Sequence, residues 1–305
     1  MIQAQRLVAG DLVALVSPSG AIDPARTEAA ISALEKWGLR ARVGANAHSR
    51  HGNLAGTDEQ RLSDLNAALR DPAVRAILCL RGGYGMQRIV DAVDFDAVRA
   101  DPKLIAGFSD ITALHLALWH ETGLATVHGP TAGQLDRGPD TPSAQALRQA
   151  LMTSTPVQVV ADKAEDTFPV RVPGTAEGTL LGGNLAMLTS TIGTPHAPDT
   201  TGAILLLEDV NEEPYRVDRM LVHLRRAGWL DNLAGVAVGQ FTDCTDPDPS
   251  PPVIDYLSAE LGRLGIPVLG GLPIGHGAEQ IAIGLGVHAH LNATAGVLTV
   301  SAPAV

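Results

Sequence analysis

Residues 76–118, AILCLRGGYGMQRIVDAVDFDAVRADPKLIAGFSDITALHLAL, contain the pattern that decides the fold. An apolar run, Ala76–Leu80, predicts a buried strand, and a glycine-rich turn follows it directly. A second apolar run, Leu104–Phe108, leads straight into the helical pattern of Asp110–His120. Strands that alternate with helices in this way predict a parallel sheet covered on both faces, with ligands near the carboxyl ends of the strands.

The same alternation continues on both sides of this segment. Further strands are predicted at Leu12–Val16 and Arg40–Val43, and helices at Pro24–Trp37, Thr57–Leu69, Gly85–Val93 and Ser143–Met152. Beyond this point the chain becomes rich in Pro, Thr, Asp and Val with β-like alternation, which indicates a domain boundary. We predict an α/β protein with one domain at residues 1–155, a linker at 156–173 and a second domain at 174–305.

Composition narrows the class of protein. Of the 305 residues, 45% are hydrophobic and only 3% are aromatic, which suits a globular core of buried parallel strands. The net charge of −11 argues against nucleic acid as a partner, because binding phosphates requires a basic surface. Two cysteines do not predict a disulfide framework. Without a signal peptide pattern or a long apolar run, we expect a soluble cytoplasmic protein with no membrane partner.

Ser109 is the candidate nucleophile. It stands at the corner between the strand Leu104–Phe108 and the following helix, where a sharp turn exposes a side chain beside the first amides of the helix. Gly107 would relieve crowding beneath such a turn. A serine at this position can equally be a helix cap. The stretch lacks the second glycine of Gly-x-Ser-x-Gly, so an ordinary α/β-hydrolase is disfavoured.

A serine nucleophile needs a base and an acid that orients the base. His276 is the candidate base because glycines flank it on both sides in a loop that can approach another segment closely. Glu208 is the candidate acid because it ends an apolar strand, where a carboxylate is costly without a partner or solvent. The alternatives are a solvated loop histidine and a strand end that faces water.

The pair Gly82 and Gly83 could donate a backbone amide to an oxyanion, with the amide of Asp110 as the second donor. A simple tight turn is the alternative. The glycine spacing fits neither of the nucleotide-binding motifs Gly-x-x-x-x-Gly-Lys-Ser/Thr and Gly-x-Gly-x-x-Gly. The histidine spacings match neither a His-Glu-x-x-His helix nor a Cys-rich zinc site, although His288 and His290 could share one strand face and bind an ion there. We therefore predict no metal and no cofactor.

Motifs along the whole chain resemble the LD-carboxypeptidases, the serine peptidase family of muramoyltetrapeptide carboxypeptidase that also includes the microcin C self-immunity proteins. Seven stretches carry the resemblance: Gly10-Asp11 with Ser17-Pro18-Ser19-Gly20, Arg81-Gly82-Gly83-Tyr84-Gly85, Gly107-Phe108-Ser109-Asp110-Ile111-Thr112, His128-Gly129-Pro130, Gly182-Gly183-Asn184-Leu185, Leu207-Glu208-Asp209-Val210 with Pro214-Tyr215-Arg216-Val217-Asp218-Arg219-Met220-Leu221, and Gly271-Leu272-Pro273-Ile274-Gly275-His276-Gly277.

The resemblance implies a Ser-Glu-His triad of Ser109, Glu208 and His276, with the oxyanion held between the Gly82-Gly83 turn and the Asp110 amide. It also implies a flavodoxin-like N-terminal domain, a smaller β-rich C-terminal domain, an active site in the cleft between them, and a homodimer. The implied substrate is a cytoplasmic murein tetrapeptide, cleaved before its terminal D-alanine. A carboxypeptidase must bind the terminal carboxylate, and Arg81 and Asn184 are the predicted contacts.

Two alternative functions remain open at this point. Some relatives carry an aromatic residue in the loop near Leu151–Gly178 that stacks on a nucleobase, whereas Phe168 is the only aromatic residue there in this chain. Since a base platform normally uses aromatic faces, this disfavours, without removing, a microcin-type hydrolase that acts on peptidyl nucleotides. A catalytically silent ligand-binding module is the other alternative.

Overall fold

The computed structural model describes residues 1–245 and 251–305, which form two compact units. The first unit comprises Met1–Thr155, Ala282–Gly286 and Ala302–Val305. The second comprises Pro156–Ile281 and Val287–Ser301, apart from the undescribed residues. The last part of the chain therefore contributes to both units.

The described residues form strands and helices in the following chain order. The strands are β1 (Leu12–Val16), β2 (Arg40–Val43), β3 (Val74–Cys79), β4 (Leu104–Gly107), β5 (Thr126–His128), β6 (Val157–Val160), β7 (Arg171–Val172), β8 (Thr175–Asn184), β9 (Ile204–Val210), β10 (Gly235–Thr242), β11 (Val268–Leu269), β12 (Ile283–Leu285), β13 (His288–Asn292) and β14 (Val297–Val300). The α-helices are α1 (Pro24–Lys36), α2 (Asp58–Arg70), α3 (Phe95–Ala100), α4 (Thr112–Thr122), α5 (Pro142–Met152), α6 (Leu185–Thr191), α7 (Pro214–Arg226) and α8 (Val253–Gly262).

The sheet of the first unit has the order β12-β5-β4-β3-β1-β2. Its strands β1 to β5 are parallel, and β12 pairs antiparallel with β5. The parallel order 2-1-3-4-5 is that of the flavodoxin-like folds. All residues of β4 are buried, and so are five of the six residues of β3, which explains their continuous apolar sequences. The predicted α/β class and flavodoxin-like first domain are confirmed.

The sheet of the second unit has eight strands in the order β6-β14-β13-β8-β9-β10-β11-β7. Strands β8 to β11 are parallel, and antiparallel strands complete the sheet on both sides. This unit is β-rich, as predicted. Strands β6 and β7 lie within residues 156–173, the segment that the sequence predicted as a linker.

Helix ends follow local sequence rules. Thr57 caps α2 in a capping box with Gln60, and Asp23 caps α1, which has proline at its first position.

The helix predicted at Gly85–Val93 is instead a pair of short 3-10 helices, Met86–Arg88 and Val90–Ala92. The amide of Met86 donates a hydrogen bond to the carboxylate of Asp110, so a tertiary contact holds the first turn in place.

Both cysteines, Cys79 and Cys244, are buried free thiols. Burial raises the pKa of each thiol to about 12, so neither thiol is activated at neutral pH. No helix in the described part of the chain is long and apolar enough to cross a membrane.

Candidate active site

Ser109 lies immediately after β4 and begins a short 3-10 helix, Ser109–Ile111, that leads into α4. Its φ of 64° puts a non-glycine residue in the left-handed region of backbone conformation. Such a conformation costs of order 1 to 3 kcal/mol and persists only where the surrounding structure enforces it. The strand-to-helix corner predicted from the sequence is therefore a strained turn that carries a serine.

Gly107 makes room for this corner. A Cβ atom on Gly107 would lie 3.1 Å from the side chain of Ile111 and 3.2 Å from Cβ of Cys79. Its carbonyl oxygen lies 2.9 Å from Nε2 of the buried His115. Burial lowers the pKa of His115 to about 4, so the neutral ring donates this hydrogen bond. Gly107, the first glycine of the Gly-x-Ser-x-Gly pattern, thus leaves room for Ile111, which occupies the position of the missing second glycine.

The glycine-rich turn packs directly against Ser109. A Cβ atom on Gly82 would lie 2.9 Å from Cβ of Ser109 and 3.1 Å from its Oγ. The carbonyl of Gly82 accepts a hydrogen bond of 2.9 Å from the amide of Gly20, which fixes the turn from the loop after β1. Gly83 has a φ of 99°, a conformation that favours glycine. The structure therefore brings the predicted nucleophile and the predicted oxyanion turn into contact.

Asp110 links the same two loops through its side chain. Its buried carboxylate accepts a hydrogen bond of 2.8 Å from the amide of Met86, just beyond the glycine-rich turn. Burial raises the pKa of Asp110 above its ordinary value, and the Met86 amide opposes that rise. The sequence analysis predicted a role for the Asp110 amide and none for its side chain. The role of that amide as an oxyanion donor stays a prediction.

In the second unit, Glu208 and His276 form a close pair. Oε2 of Glu208, which is 0% exposed, lies 2.6 Å from Nδ1 of His276. Because an ionised carboxylate only accepts, Nδ1 is the donor and the lone pair of the neutral ring is on Nε2. Burial disfavours the imidazolium, but the hydrogen bond and charge of Glu208, with the charge of Asp209, raise the pKa of His276 above its ordinary value.

Glycines and a glutamine hold the loop that carries His276. Gly275 has a φ of 131°, and a Cβ atom there would lie 2.7 Å from Oε2 of Glu208. The amide of Gly277 donates to Oε1 of Gln240 at 2.7 Å, and Nε2 of Gln240 donates to Glu165 at 2.8 Å. The flanking glycines predicted that the His276 loop would approach another segment closely. No feature of the sequence predicted the hydrogen bond between this loop and Gln240.

Asn184 and Asp209 form a buried group behind Glu208 on β9. Nδ2 of Asn184 donates to Oδ1 of Asp209 at 2.8 Å, and Oδ1 of Asn184 accepts from the amide of Met187 and caps α6. Burial and the neighbouring charge of Glu208 raise the pKa of Asp209 to about 7. Asn184 has a structural role in this group, and its contact with a substrate carboxylate stays a prediction.

The predicted site residues divide between the two units. Ser109, Gly82, Gly83, Asp110 and Arg81 lie in the first unit, and Glu208, His276 and Asn184 lie in the second. Arg81 is exposed and donates from Nη1 to the carbonyl of Ala21 at 2.5 Å. Among the described residues, no group of three or more His, Cys, Asp or Glu side chains could hold a metal ion.

A strained serine at a strand-to-helix corner, together with a buried carboxylate–histidine pair, defines the class of serine hydrolases built on an α/β scaffold. Comparison with known families identifies the particular family. The LD-carboxypeptidase N-terminal domain matches residues 13–129, and the LD-carboxypeptidase C-terminal domain matches residues 177–291. The chain belongs to the LD-carboxypeptidase family of serine peptidases, as the sequence motifs predicted.

Individual relatives agree with this assignment. A probable murein peptide carboxypeptidase of Bacillus subtilis is 40% identical over 289 residues, which cover 93% of this chain and 89% of the relative. The crystal structure of muramoyltetrapeptide carboxypeptidase from Oxalobacter formigenes has a TM-score of 0.84 at 32% identity, covering 95% of this chain and 98% of that one. The microcin C7 self-immunity protein MccF in complex with aspartyl sulfamoyl adenosine has a TM-score of 0.88 at 21% identity, covering 99% and 98%, which shows a shared fold.

Replacing Gly82 by alanine tests the contact between the glycine-rich turn and the nucleophile. The added methyl group would overlap Ser109, because a Cβ atom at 2.9 Å from another Cβ forces the turn or the serine to move. We expect Gly82→Ala to reduce peptidase kcat by about 100-fold or more, the scale of a misplaced catalytic group. Gly262→Ala is the matched control, because a Cβ atom there meets nothing within 4 Å. Wild-type kcat in Gly82→Ala would contradict this geometry.

The pKa of His276 can be measured by NMR titration of its ring nitrogens. We expect the wild-type pKa to lie above the ordinary value for histidine and to fall in Glu208→Gln, because the neutral amide removes the charge that favours the imidazolium. Glu177→Gln is the control, since Glu177 is an exposed carboxylate that lies 3.9 Å from a different histidine, His288. An unchanged pKa in Glu208→Gln would show that Glu208 does not stabilise the charged ring.

Proposed function

We propose that this protein is a serine LD-carboxypeptidase that releases the terminal D-alanine from murein tetrapeptides by acyl transfer. The hydrogen bond of 2.6 Å between Glu208 and His276 carries the proposal, because it supplies an oriented base with a raised pKa. Membership of the LD-carboxypeptidase family and the murein peptide activity named for its relatives support the substrate class.

In the proposed acylation step, Nε2 of His276 takes the proton of Ser109 as Oγ attacks the carbonyl carbon before the terminal D-alanine. Backbone amides of the Gly82-Gly83 turn and of Asp110 hold the developing oxyanion. The imidazolium then gives its proton to the leaving amine, the peptide bond breaks, and D-alanine departs. The remaining tripeptide is bound to Ser109 as an ester.

Deacylation repeats the attack and the proton transfers with water as the nucleophile. His276 removes a proton from the water, hydroxide attacks the ester carbonyl, and the proton returns to Oγ of Ser109 as the tripeptide acid leaves. Glu208 keeps Nδ1 protonated in both halves of the reaction, so that Nε2 is the nitrogen that exchanges protons. The buried carboxylate also stabilises the imidazolium while it exists.

The substrate must also be recognised by its terminal carboxylate, and we propose that Arg81 contributes to this contact. Arg81 is exposed at the start of the glycine-rich turn. Within the described part of the chain, its guanidinium makes one hydrogen bond, from Nη1 to the carbonyl of Ala21. Its remaining donors suit a carboxylate, which a guanidinium can bind through two parallel hydrogen bonds. We propose Asn184 as the second contact of the terminal carboxylate, with its side chain held in place by the hydrogen bond to Asp209.

A peptidyl nucleotide is a less well supported substrate. The neighbour that binds aspartyl sulfamoyl adenosine shares the fold at 21% identity. Phe168 is half-buried, the guanidinium of Arg171 lies 4.7 Å from the centre of its ring, and a Cβ atom on Gly271 would lie 2.9 Å from that ring. A ring packed in this way offers little free face for a nucleobase.

We propose that the enzyme acts in the cytoplasm on peptides that are being recycled from the cell wall, and that it is a homodimer. Both proposals follow from the family resemblance. The acidic net charge of −11 is compatible with a small peptide as the partner and disfavours nucleic acid.

Mass spectrometry of products distinguishes the candidate functions. Purified protein is incubated with a murein tetrapeptide and, separately, with an aminoacyl adenylate analogue. We expect loss of D-alanine from the tetrapeptide, no comparable cleavage of the analogue, and a loss of at least about 10⁴-fold in Ser109→Ala, the scale set by removing a catalytic serine. Ser190→Ala, which changes an exposed serine on α6, is the control. Cleavage of the analogue alone would support the nucleotide reading, and no product from folded protein would support a binding module.

Replacing Arg81 by alanine tests recognition of the terminal carboxylate. We expect kcat/KM for the tetrapeptide acid to fall by about 10- to 100-fold, because a hydrogen bond to a charged group contributes about 1.5 to 3 kcal/mol. The corresponding tetrapeptide amide is the control substrate, and its slower hydrolysis should change little in Arg81→Ala. Equal kinetics for wild type and Arg81→Ala on the acid would remove the binding role from Arg81.

A further inference from the structure

Arg61, in the first turn of α2, is a buried charge for which the proposed mechanism has no use. It is 1% exposed. Its Nη1 donates to the carbonyl oxygens of Pro18 and Gly85, the second at 2.9 Å, and its Nη2 donates to Asp58 at 2.5 Å. Burying a guanidinium is unfavourable unless it is hydrogen-bonded, and these three contacts fix the side chain, although its buried Nε has no partner among the described residues. Arg61 thereby joins the loop after β1 to the end of the glycine-rich turn.

Asp58 extends this connection to a second arginine. Nε and Nη2 of Arg88 bind the two carboxylate oxygens of Asp58 at 2.9 and 2.8 Å, a bidentate pair. The side chains of Asp58 and Tyr84 raise the pKa of Arg88 above its ordinary value, and Tyr84 is 59% exposed on the glycine-rich turn. Arg61 consequently holds the turn at the Gly85 carbonyl, and Arg88 supports Arg61 through the carboxylate that the two arginines share.

The segment held in this way is the one that contacts Ser109. Gly82 packs on the serine, and Met86 donates its amide to Asp110, the residue that follows the serine. An oxyanion donor is effective only when it is fixed before the reaction, and a displacement of about 1 Å can reduce the rate by about 100-fold. Glycines cannot fix their own backbone, because they are the most permissive residues.

We propose that Asp58, Arg61 and Arg88 form a positioning network that holds the Gly82-Gly83 turn where it can stabilise the oxyanion. This inference rests on the proposed acyl-transfer function. None of the three is a catalytic residue, because Arg61 acts through the backbone of the turn and Asp58 and Arg88 act through Arg61. A network that served only the stability of the first unit would affect unfolding and leave the catalytic step unchanged, so the two roles can be separated experimentally.

The exposed member, Arg88, offers the cleanest test. The Arg88–Asp58 ion pair has side-chain exposures of 48% and 30%, and the Arg42–Asp71 pair, on another part of the same unit, has exposures of 49% and 27%. Arg88→Gln and the control Arg42→Gln therefore remove surface ion pairs of similar exposure. We expect Arg88→Gln to lower kcat for the tetrapeptide by about 10-fold with KM within about twofold, and Arg42→Gln to leave both unchanged. The two variants should have the same Tm.

A second measurement is independent of the peptide. A fluorophosphonate modifies the active serine through an intermediate that uses the same oxyanion donors, so its second-order rate constant should fall by the same factor in Arg88→Gln. Arg61→Lys keeps the charge but cannot make all three contacts, and we expect at least as large a loss of phosphonylation rate in the fraction that is folded.

The outcomes separate the two proposals. If wild-type protein reacts with the fluorophosphonate but does not cleave the tetrapeptide, the proposed substrate is wrong, and the network is still tested by the phosphonylation rates. If wild type cleaves the tetrapeptide and Arg88→Gln has the kcat and phosphonylation rate of Arg42→Gln, the positioning role is overturned. A rise in KM without a fall in kcat would also overturn it.

Discussion

The left-handed backbone of Ser109 is the constraint on which the first unit's part of the site depends. A φ of 64° is unfavourable for serine, so the neighbouring segments must hold the corner. Gly107 removes a clash below the corner, Gly82 packs against the serine, and the Asp110 carboxylate binds the amide of Met86. These contacts combine into one arrangement because the segments after β3 and β4 begin at the same edge of a parallel sheet.

In the second unit, the corresponding constraint is the burial of Glu208. A carboxylate with 0% exposure must be paired, and His276 provides the partner at 2.6 Å. Glycine at 275 allows this approach, and Gln240 anchors the loop on the far side of the histidine. Burial alone would lower the pKa of His276, and the hydrogen bond and charge of Glu208, with the charge of Asp209, raise it above its ordinary value.

Local sequence patterns predicted much of the fold, because buried parallel strands such as β3 and β4 require continuous apolar runs. They also predicted Ser109, Glu208 and His276 as candidates, although the family resemblance was needed to rank them. The helix predicted at Gly85–Val93 was wrong, because the backbone at Ile89, with a φ of −122°, interrupts the helical conformation between two short 3-10 helices. Arg61 was missed because a charged residue on a helix usually faces water, and its burial depends on loops distant in sequence.

We propose that Ser109, from one unit, and His276, from the other, act together in catalysis. The kcat values of Ser109→Ala, His276→Ala and the double variant test it most directly, since residues that act together lose activity non-additively. We expect each single variant to lose nearly all activity and the double variant to lie within about threefold of either. Multiplicative losses, or substantial activity in His276→Ala, would contradict it.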